Sequence, residues 1–440
     1  MVESEASVRF VDHAALGACV HCGLCLVSCP TYVELGEEAD SPRGRIHLMS
    51  ALEHGRLSPT SELIRHLDLC LGCRACETAC PSGVRYGSLI EAARPYVEAH
   101  RPRLARWGRR ALARLLASPR FGTLAFLPLR LLGGRPWIGG LARSIPPALG
   151  AWVAIAAAMP PRRPMPRLPS ELVPTGKSRG TAVLLTGCPA ATLFPSTQLA
   201  AARLLQRAGV RVVVPPGQRC CGALALHLGD AAGARRLARH TTATLAVGPA
   251  DWVVTTAAGC GALVREYDHL LVDQPRVREL ARRTHDALEL LADLGLPPPV
   301  HPLARSVTVH DPCHLAHGQG VRVAVRSLLA TVPGVRLVEL EDADVCCGSA
   351  GTYNLTQPRM ARRLLARKVE RIAATGADVV AAANPGCLLQ IRAGVIARGL
   401  PVTVEHPLDL LAAAHGVGDA PIGLARAIPP ARRSGRAPGP

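Results

Sequence analysis

Two stretches near the N-terminus space their cysteines alike. Cys19-Val-His-Cys22-Gly-Leu-Cys25-Leu-Val-Ser-Cys29-Pro30 and Cys70-Leu-Gly-Cys73-Arg-Ala-Cys76-Glu-Thr-Ala-Cys80-Pro81 both read C-x2-C-x2-C-x3-C-P. Three cysteines two residues apart wrap one face of a cubane, and soft thiolates suit iron–sulfur clusters. In this run the fourth cysteine serves the other cluster of a pair. Cys19, Cys22, Cys25 and Cys80 are therefore expected to hold one 4Fe-4S cluster, and Cys70, Cys73, Cys76 and Cys29 a second. Structural zinc uses four ligands, often as two C-x2–4-C pairs, and has no reason to demand the longer run twice. Ligands that interleave put two clusters side by side, which suits electron relay better than substrate chemistry.

Eight more cysteines fall in two sets of four, Cys188, Cys220, Cys221 and Cys260, then Cys313, Cys346, Cys347 and Cys387. The intervening gaps are 31 and 38 residues in the first set and 32 and 39 in the second. Adjacent cysteines are strained on one metal but suit neighbouring irons of a cluster, and the glycine that follows each pair lets backbone come close. Three readings stay open for these thiols: a further cluster in each set, zinc or partly vestigial sites, or a thiol–disulfide relay. His310 and His314, beside Cys313, have no histidine counterpart in the first set and read as local packing or hydrogen bonding. His285 and His406 recur and read as helix-start residues.

The elements that must carry these residues follow from an internal repeat, residues 181–292 and 306–412. Each copy opens with an apolar run into a cysteine. It then passes through a helical stretch, a β-branched run, Cys-Cys-Gly, another helical stretch and a second β-branched run ending in Gly-Cys. Short β-branched runs alternating with helices predict βαβ units and a parallel sheet. Sites in such sheets form at the carboxyl ends of strands, and Cys188, Cys260, Cys313 and Cys387 fall there. The expected fold class is α+β multidomain. An α-helical two-cluster ferredoxin-like domain spans 1–93 and a basic helical linker 94–179. Two repeated α/β Cys-Cys-Gly domains with parallel sheets span 180–300 and 301–415, and a disordered tail spans 416–440.

The chain of 440 residues has a formal net charge of +18. Residues 94–179 hold 16 Arg or Lys against two acids, Glu98 and Glu171, which accounts for +14 of it. Leu104, Trp107, Ala111, Leu112, Leu115 and Leu116 share one side of a predicted helix, with Arg103, Arg106, Arg109, Arg110 and Arg114 opposite. Apolar patches follow at 121–127 and 145–159. Such helices lie in membrane interfaces or dock on acidic partners, so peripheral membrane attachment through residues 101–160 is expected. The positive charge sits beside apolar patches with no nucleic-acid motif, which argues against nucleic-acid binding. The first ten residues lack the apolar core of a signal peptide, and clustered free thiols suit a reducing compartment, so a cytoplasmic location is expected, on the inner face of the membrane if attached. No G-x-G-x-x-G follows a strand, so flavin or nicotinamide chemistry is expected on another chain.

These features together resemble the iron–sulfur subunit of glycolate oxidase (glycolate dehydrogenase), within the Cys-Cys-Gly domain superfamily. The resemblance is carried by the two ferredoxin motifs, Ser41-Pro-Arg-Gly-Arg45, Asp311-Pro-Cys-His314, Cys346-Cys-Gly-Ser-Ala-Gly351 and Asn384-Pro-Gly-Cys387. It implies an electron-transfer subunit that works with FAD-containing dehydrogenase subunits, which oxidise glycolate, and passes electrons toward the quinone pool. It also implies no catalysis by the chain alone. Related complexes act on lactate or anaerobically on glycerol 3-phosphate. The repeats of heterodisulfide reductase subunits end in C-x-x-C, whereas these end Cys260-Gly-Ala-Leu263 and Cys387-Leu-Leu-Gln390, which argues against a disulfide-reducing centre.

Overall fold

The computed structural model describes residues 10–11, 13–118, 147–159, 166–174, 176–246 and 248–418. The expected apolar patch at 121–127 and the tail from 419 lie outside these residues.

The N-terminal part is helical: Pro30–Leu35, Pro42–Glu53, Ser61–Asp68 and Tyr86–Ala99 are its main helices, and the two cysteine loops run between them. Leu52, Leu63, Leu67, Leu89 and Val97 bury their side chains among these helices. The Ser41-Pro-Arg-Gly-Arg45 phrase has a local cause at each position. Ser41 caps the helix Pro42–Glu53, its hydroxyl accepting the Gly44 amide at 2.9 Å, and Pro42 opens the first turn. A Cβ on Gly44 would overlap the Glu38 carbonyl, so only glycine fits. Arg43 pairs with Glu38 at 2.7 Å and donates to the His21 carbonyl of the first cysteine loop at 3.2 Å. Arg45 points inward and is 1% exposed.

The repeats form two sheets. In the first, β1 (Glu171–Leu172), β2 (Gly180–Leu185), β3 (Val210–Val213), β4 (Trp252–Thr255) and β5 (Thr284–Asp286) lie in the order β1-β3-β2-β4-β5. All neighbours are parallel except the edge pair β1–β3. In the second, β6 (Arg305–His310), β7 (Val335–Leu337), β8 (Val379–Ala382) and β9 (Thr403–Glu405) lie parallel in the order β7-β6-β8-β9. Without β1 the two orders are the same. The chain leaves β2 toward β3 and β4 toward β5, in opposite directions, as it leaves β6 and β8, so each sheet has a crevice at the carboxyl ends of its two central strands.

The two sheets share one core. Leu184, Leu204 and Leu291 of the first copy pack with Val309, Leu329 and Leu411 of the second. The Thr197 hydroxyl donates to Asp409 across the join at 2.8 Å. Gly222 and Gly348 have φ of +101° and +86°, and a Cβ would come within 3.1 and 2.8 Å of the Ala234 and Ala361 carbonyls of the next helix. This is why glycine follows each cysteine pair.

Three expectations need revision. Residue 93 is no boundary, because the helix Tyr86–Ala99 runs through it. Residues of the expected linker enter the first sheet, as β1. The helix-start role belongs to His406, which caps Pro407–Ala414, but in copy one it falls to Asp286 and not to His285.

Candidate functional site

The second cysteine motif bends around a small cavity lined by Cys70, Cys73 and Cys76, and Cys29 of the first motif completes the ring. Arg45 and Tyr86 form its back wall. The Gly72 amide donates to Cys70 Sγ at 3.3 Å and the Tyr86 hydroxyl does so at 3.6 Å. Arg45 Nη1 points at Cys29 Sγ from 3.9 Å, while its other nitrogens bind the His66 carbonyl (2.7 Å) and Thr31 Oγ1 (3.0 Å). Burial pushes the Cys73 and Cys76 thiols well up, and the neighbouring sulfurs push them further. Sulfurs this buried and crowded ionise together only around a cationic centre, so the donor set fits a thiolate-held cluster. Cys19, Cys25 and Cys80 border the same helical core, Cys22 is exposed, and the Val84 amide donates to Cys80 Sγ at 3.4 Å.

All eight thiols of the repeats line a single cavity of about 190 Å³. Within copy one, Cys188, Cys220, Cys221 and Cys260 interact in series. Cys220 is held well below the usual thiol range because Cys188 and Cys221 donate to it, helped by the Gly222 amide at 3.4 Å. Within copy two, Cys313, Cys346, Cys347 and Cys387 form the matching series. Each copy therefore collects its four thiols into one group, brought together by two strand ends and the Cys-Cys-Gly loop. These groups have the donors and the crowding of metal sites. The cavity wall is otherwise mostly apolar, with Leu116, Trp152, Ile155 and Leu193 among its residues.

The N-terminal domain meets this cavity on the side of copy two. Cys73 lies close enough to Cys313 and Cys346 for their charges to interact, and all three share an apolar cluster with Leu71 and Tyr353. The Tyr353 hydroxyl donates to the Leu69 carbonyl at 2.9 Å. Arg94 spans the junction. It donates to the Cys70 carbonyl at 3.0 Å and lies 3.0 Å from His227 Nδ1, whose ring is edge-on to His314 with centroids 5.5 Å apart. Burial, then nearby arginines, pushes both imidazoles down, His314 to about 4. His314 Nδ1 sits 3.5 Å from Cys313 Sγ, in keeping with its reading as a hydrogen-bonding residue.

The sequence reading passed over several residues at these sites. Arg45 and Tyr86 had no signal beyond the phrase Ser41–Arg45 and an isolated tyrosine. His310 reads from sequence as packing, yet one of its ring nitrogens comes within 4.8 Å of Cys347 and Cys387 Sγ. Lys368 is 2% exposed and interacts with Cys346 and Cys347.

The basic helix Arg103–Ala117 is present. Arg106, Arg109, Ala111, Leu112, Ala113 and Leu116 are turned toward the protein, and Arg109 binds Glu98 at 3.0 Å. Leu104 and Trp107 are 80% and 70% exposed. No helix among the described residues is long and apolar enough to cross a membrane.

Comparison with known proteins agrees with this architecture. A 4Fe-4S dicluster domain matches residues 15–84, and a cysteine-rich domain matches 182–265 and again 307–392. The chain is 37% identical over 439 residues to the "Probable glycolate oxidase iron-sulfur subunit" of Bacillus subtilis (strain 168), covering 94% of this chain and 97% of the relative. It is 36% identical over 389 residues to the glycolate oxidase iron-sulfur subunit of Escherichia coli (strain K12), covering 84% and 88%. It is 31% identical over 233 residues to lactate utilization protein A of Halalkalibacterium halodurans, covering 52% of this chain and 95% of that protein. With two cluster motifs, a doubled cysteine-rich domain and similarity along nearly its whole length, the chain is an iron–sulfur electron-transfer subunit of an oxidoreductase complex and belongs to the family of glycolate oxidase iron–sulfur subunits.

Proposed function

We propose that the chain carries electrons from FAD-containing subunits that oxidise glycolate, through its N-terminal clusters and the repeat cavity, toward the quinone pool at the inner face of the cytoplasmic membrane. Bound iron–sulfur clusters supply reversible one-electron storage. Cys19, Cys22, Cys25 and Cys80 hold one, Cys70, Cys73, Cys76 and Cys29 the next, and the two four-thiol groups of the repeats hold further clusters. The observation that carries this reading is the packing of Cys73 against Cys313 and Cys346. These three cysteines share one buried cluster, so the second motif adjoins the repeat cavity. Leu69, Leu71 and Tyr353 exclude water around that junction, and Arg94 ties the second cysteine loop to the cavity wall. Hydride removal from the 2-hydroxy acid is assigned to the partner, because the sequence has no G-x-G-x-x-G fingerprint after a strand.

Membrane attachment rests on the outward Leu104 and Trp107 amid arginines of the same helix. An interface helix has this pattern. The test is direct. Anaerobically purified chain is analysed for iron and labile sulfide, where more than about eight irons puts clusters in the repeats. The same protein alone should not oxidise glycolate. It should sediment with anionic vesicles, and Leu104→Ser with Trp107→Ser should release it. Glycolate turnover by the isolated chain, or equal sedimentation of both proteins, contradicts the corresponding part of the proposal.

A further inference from the structure

The two repeats are not chemically equivalent at their cysteine groups. His310 ends β6 and Leu185 ends β2. Each stands three residues before the first cysteine of its copy and pairs with the last residue of the next strand. Leu185 is an ordinary core residue, packed with Val183 and Val253. His310 occupies the same place at 1% exposure, and neither ring nitrogen has a hydrogen-bond partner of good geometry. The nearby Ala343 carbonyl is shared with the Asp311 amide at 3.1 Å and the Lys368 ammonium at 3.4 Å. A buried imidazole with no partner is costly. What faces it is sulfur: one of its ring nitrogens and the Cys347 and Cys387 sulfurs all lie within 4.8 Å of one another.

A second difference points the same way. The contacts of Gly222 with Ala234 and Gly348 with Ala361 align the helices Ala231–Leu245 and Pro358–Thr375, and in that alignment Lys368 of copy two takes the position of Thr241 in copy one. Copy two thus surrounds its thiols with a nitrogen donor and a buried cation, where copy one has the side chain of Leu185 and the hydroxyl of Thr241.

We infer that His310 is a ligand, through one ring nitrogen, of the iron–sulfur centre held by the copy-two cysteines, so that copy two carries a mixed sulfur–nitrogen centre and copy one an all-sulfur centre. This rests on the reading that the repeats hold clusters. Imidazole ligation raises the potential of an iron–sulfur centre relative to all-thiolate ligation, and Lys368 acts in the same direction. The copy-two centre is then the more readily reduced of the two, and it is the one that meets Cys73.

The experiment uses full-length chain, purified without oxygen and labelled with 15N-histidine. Pulsed EPR of the reduced protein should show a nitrogen directly coupled to a cluster. That coupling should vanish in His310→Leu, a residue the fold already accepts at the equivalent position, and in His310→Cys, which returns a ligand atom as sulfur. One midpoint potential should fall in His310→Leu while the others stay put. Coupling that survives both substitutions, or is absent from wild-type protein whose iron exceeds the N-terminal complement, overturns histidine ligation and leaves clusters in the repeats. Iron limited to the N-terminal complement overturns the cluster reading itself, and ligation with it. One zinc per chain that is lost in His310→Leu keeps His310 as a metal ligand but overturns its assignment to an iron–sulfur centre.

Discussion

Tyr86→Phe should lower the potential of the cluster held by Cys29, Cys70, Cys73 and Cys76. The hydroxyl is enclosed, with Tyr86 4% exposed, and donates to Cys70 Sγ at 3.6 Å. Phenylalanine keeps the ring in the helical core, so packing is conserved. A hydrogen bond to a charged acceptor contributes about 1.5–3 kcal/mol, and a bond of this length to sulfur belongs at the lower end. Only the part that strengthens when the cluster gains an electron affects the potential. Because that electron spreads over the whole cluster, this part is roughly 0.5–1 kcal/mol, or about 20–45 mV for a one-electron couple. EPR-monitored potentiometric titration of both proteins reads it. One midpoint should move down by that amount, and the midpoint of the Cys19, Cys22, Cys25 and Cys80 cluster should not move. An unchanged or raised midpoint, with iron content retained, would refute the argument that this hydroxyl stabilises the reduced state.

Cys29→Ala should remove the cluster of the second motif and leave that of the first, a loss of about four irons. Loss of the first-motif EPR signal instead would show that the ligands do not interleave. Gly44→Ala should destabilise the N-terminal domain by roughly 2–4 kcal/mol, because its Cβ would meet the Glu38 carbonyl. Loss of iron during purification and a lowered urea midpoint would register it, and an unchanged midpoint would contradict the close approach. Asp286 is buried at the start of a helix, and burial raises its carboxyl from 3.8 to about 7. The folded chain therefore binds a proton that the unfolded chain has released, so this contribution is complete below about pH 4 and is lost as pH rises through about 7. Asp286→Asn should flatten that slope and be the more stable protein at pH 8, by roughly 1–3 kcal/mol. Parallel pH profiles of the urea midpoint would rule the effect out.

Much of the chemistry was legible in the chain because it is local. C-x2-C-x2-C-x3-C-P bends within a dozen residues, so its spacing already states a ligand geometry. The doubled pattern of apolar runs and Cys-Cys-Gly named the parallel sheets and put Cys188, Cys260, Cys313 and Cys387 at strand ends, whereas the structure has them just beyond, at the starts of the helices that follow. Boundaries were less legible. Helix periodicity continues past residue 93 without a break, and a two-residue edge strand at Glu171–Leu172 leaves no periodic trace. The face of the helix Arg103–Ala117 was also hidden, because amphipathicity states that two faces differ and not which one a neighbour covers. There Glu98, from the preceding helix, turned Arg109 inward and left Trp107 outside.

Only tertiary packing decided the rest. Arg45 and Tyr86 reach Cys29 and Cys70 by crossing from other helices, and Tyr86 stands 16 residues from the sulfur it faces. Cys73 meets Cys313 across 240 positions of chain, a pairing that no spacing rule encodes. His310 belongs to a β-strand buried on both faces, and that says only that it is inside. Whether a buried histidine packs or binds depends on what its ring nitrogens face, and the Cys-Cys-Gly loop and the helix Pro385–Arg398 bring Cys347 and Cys387 to it from elsewhere in the sequence. Sequence by itself therefore determined which atoms could bind iron. The packing of the sheets and helices decided which of those atoms share a site, because donors far apart in the chain come within ligand distance only when their elements are folded against each other.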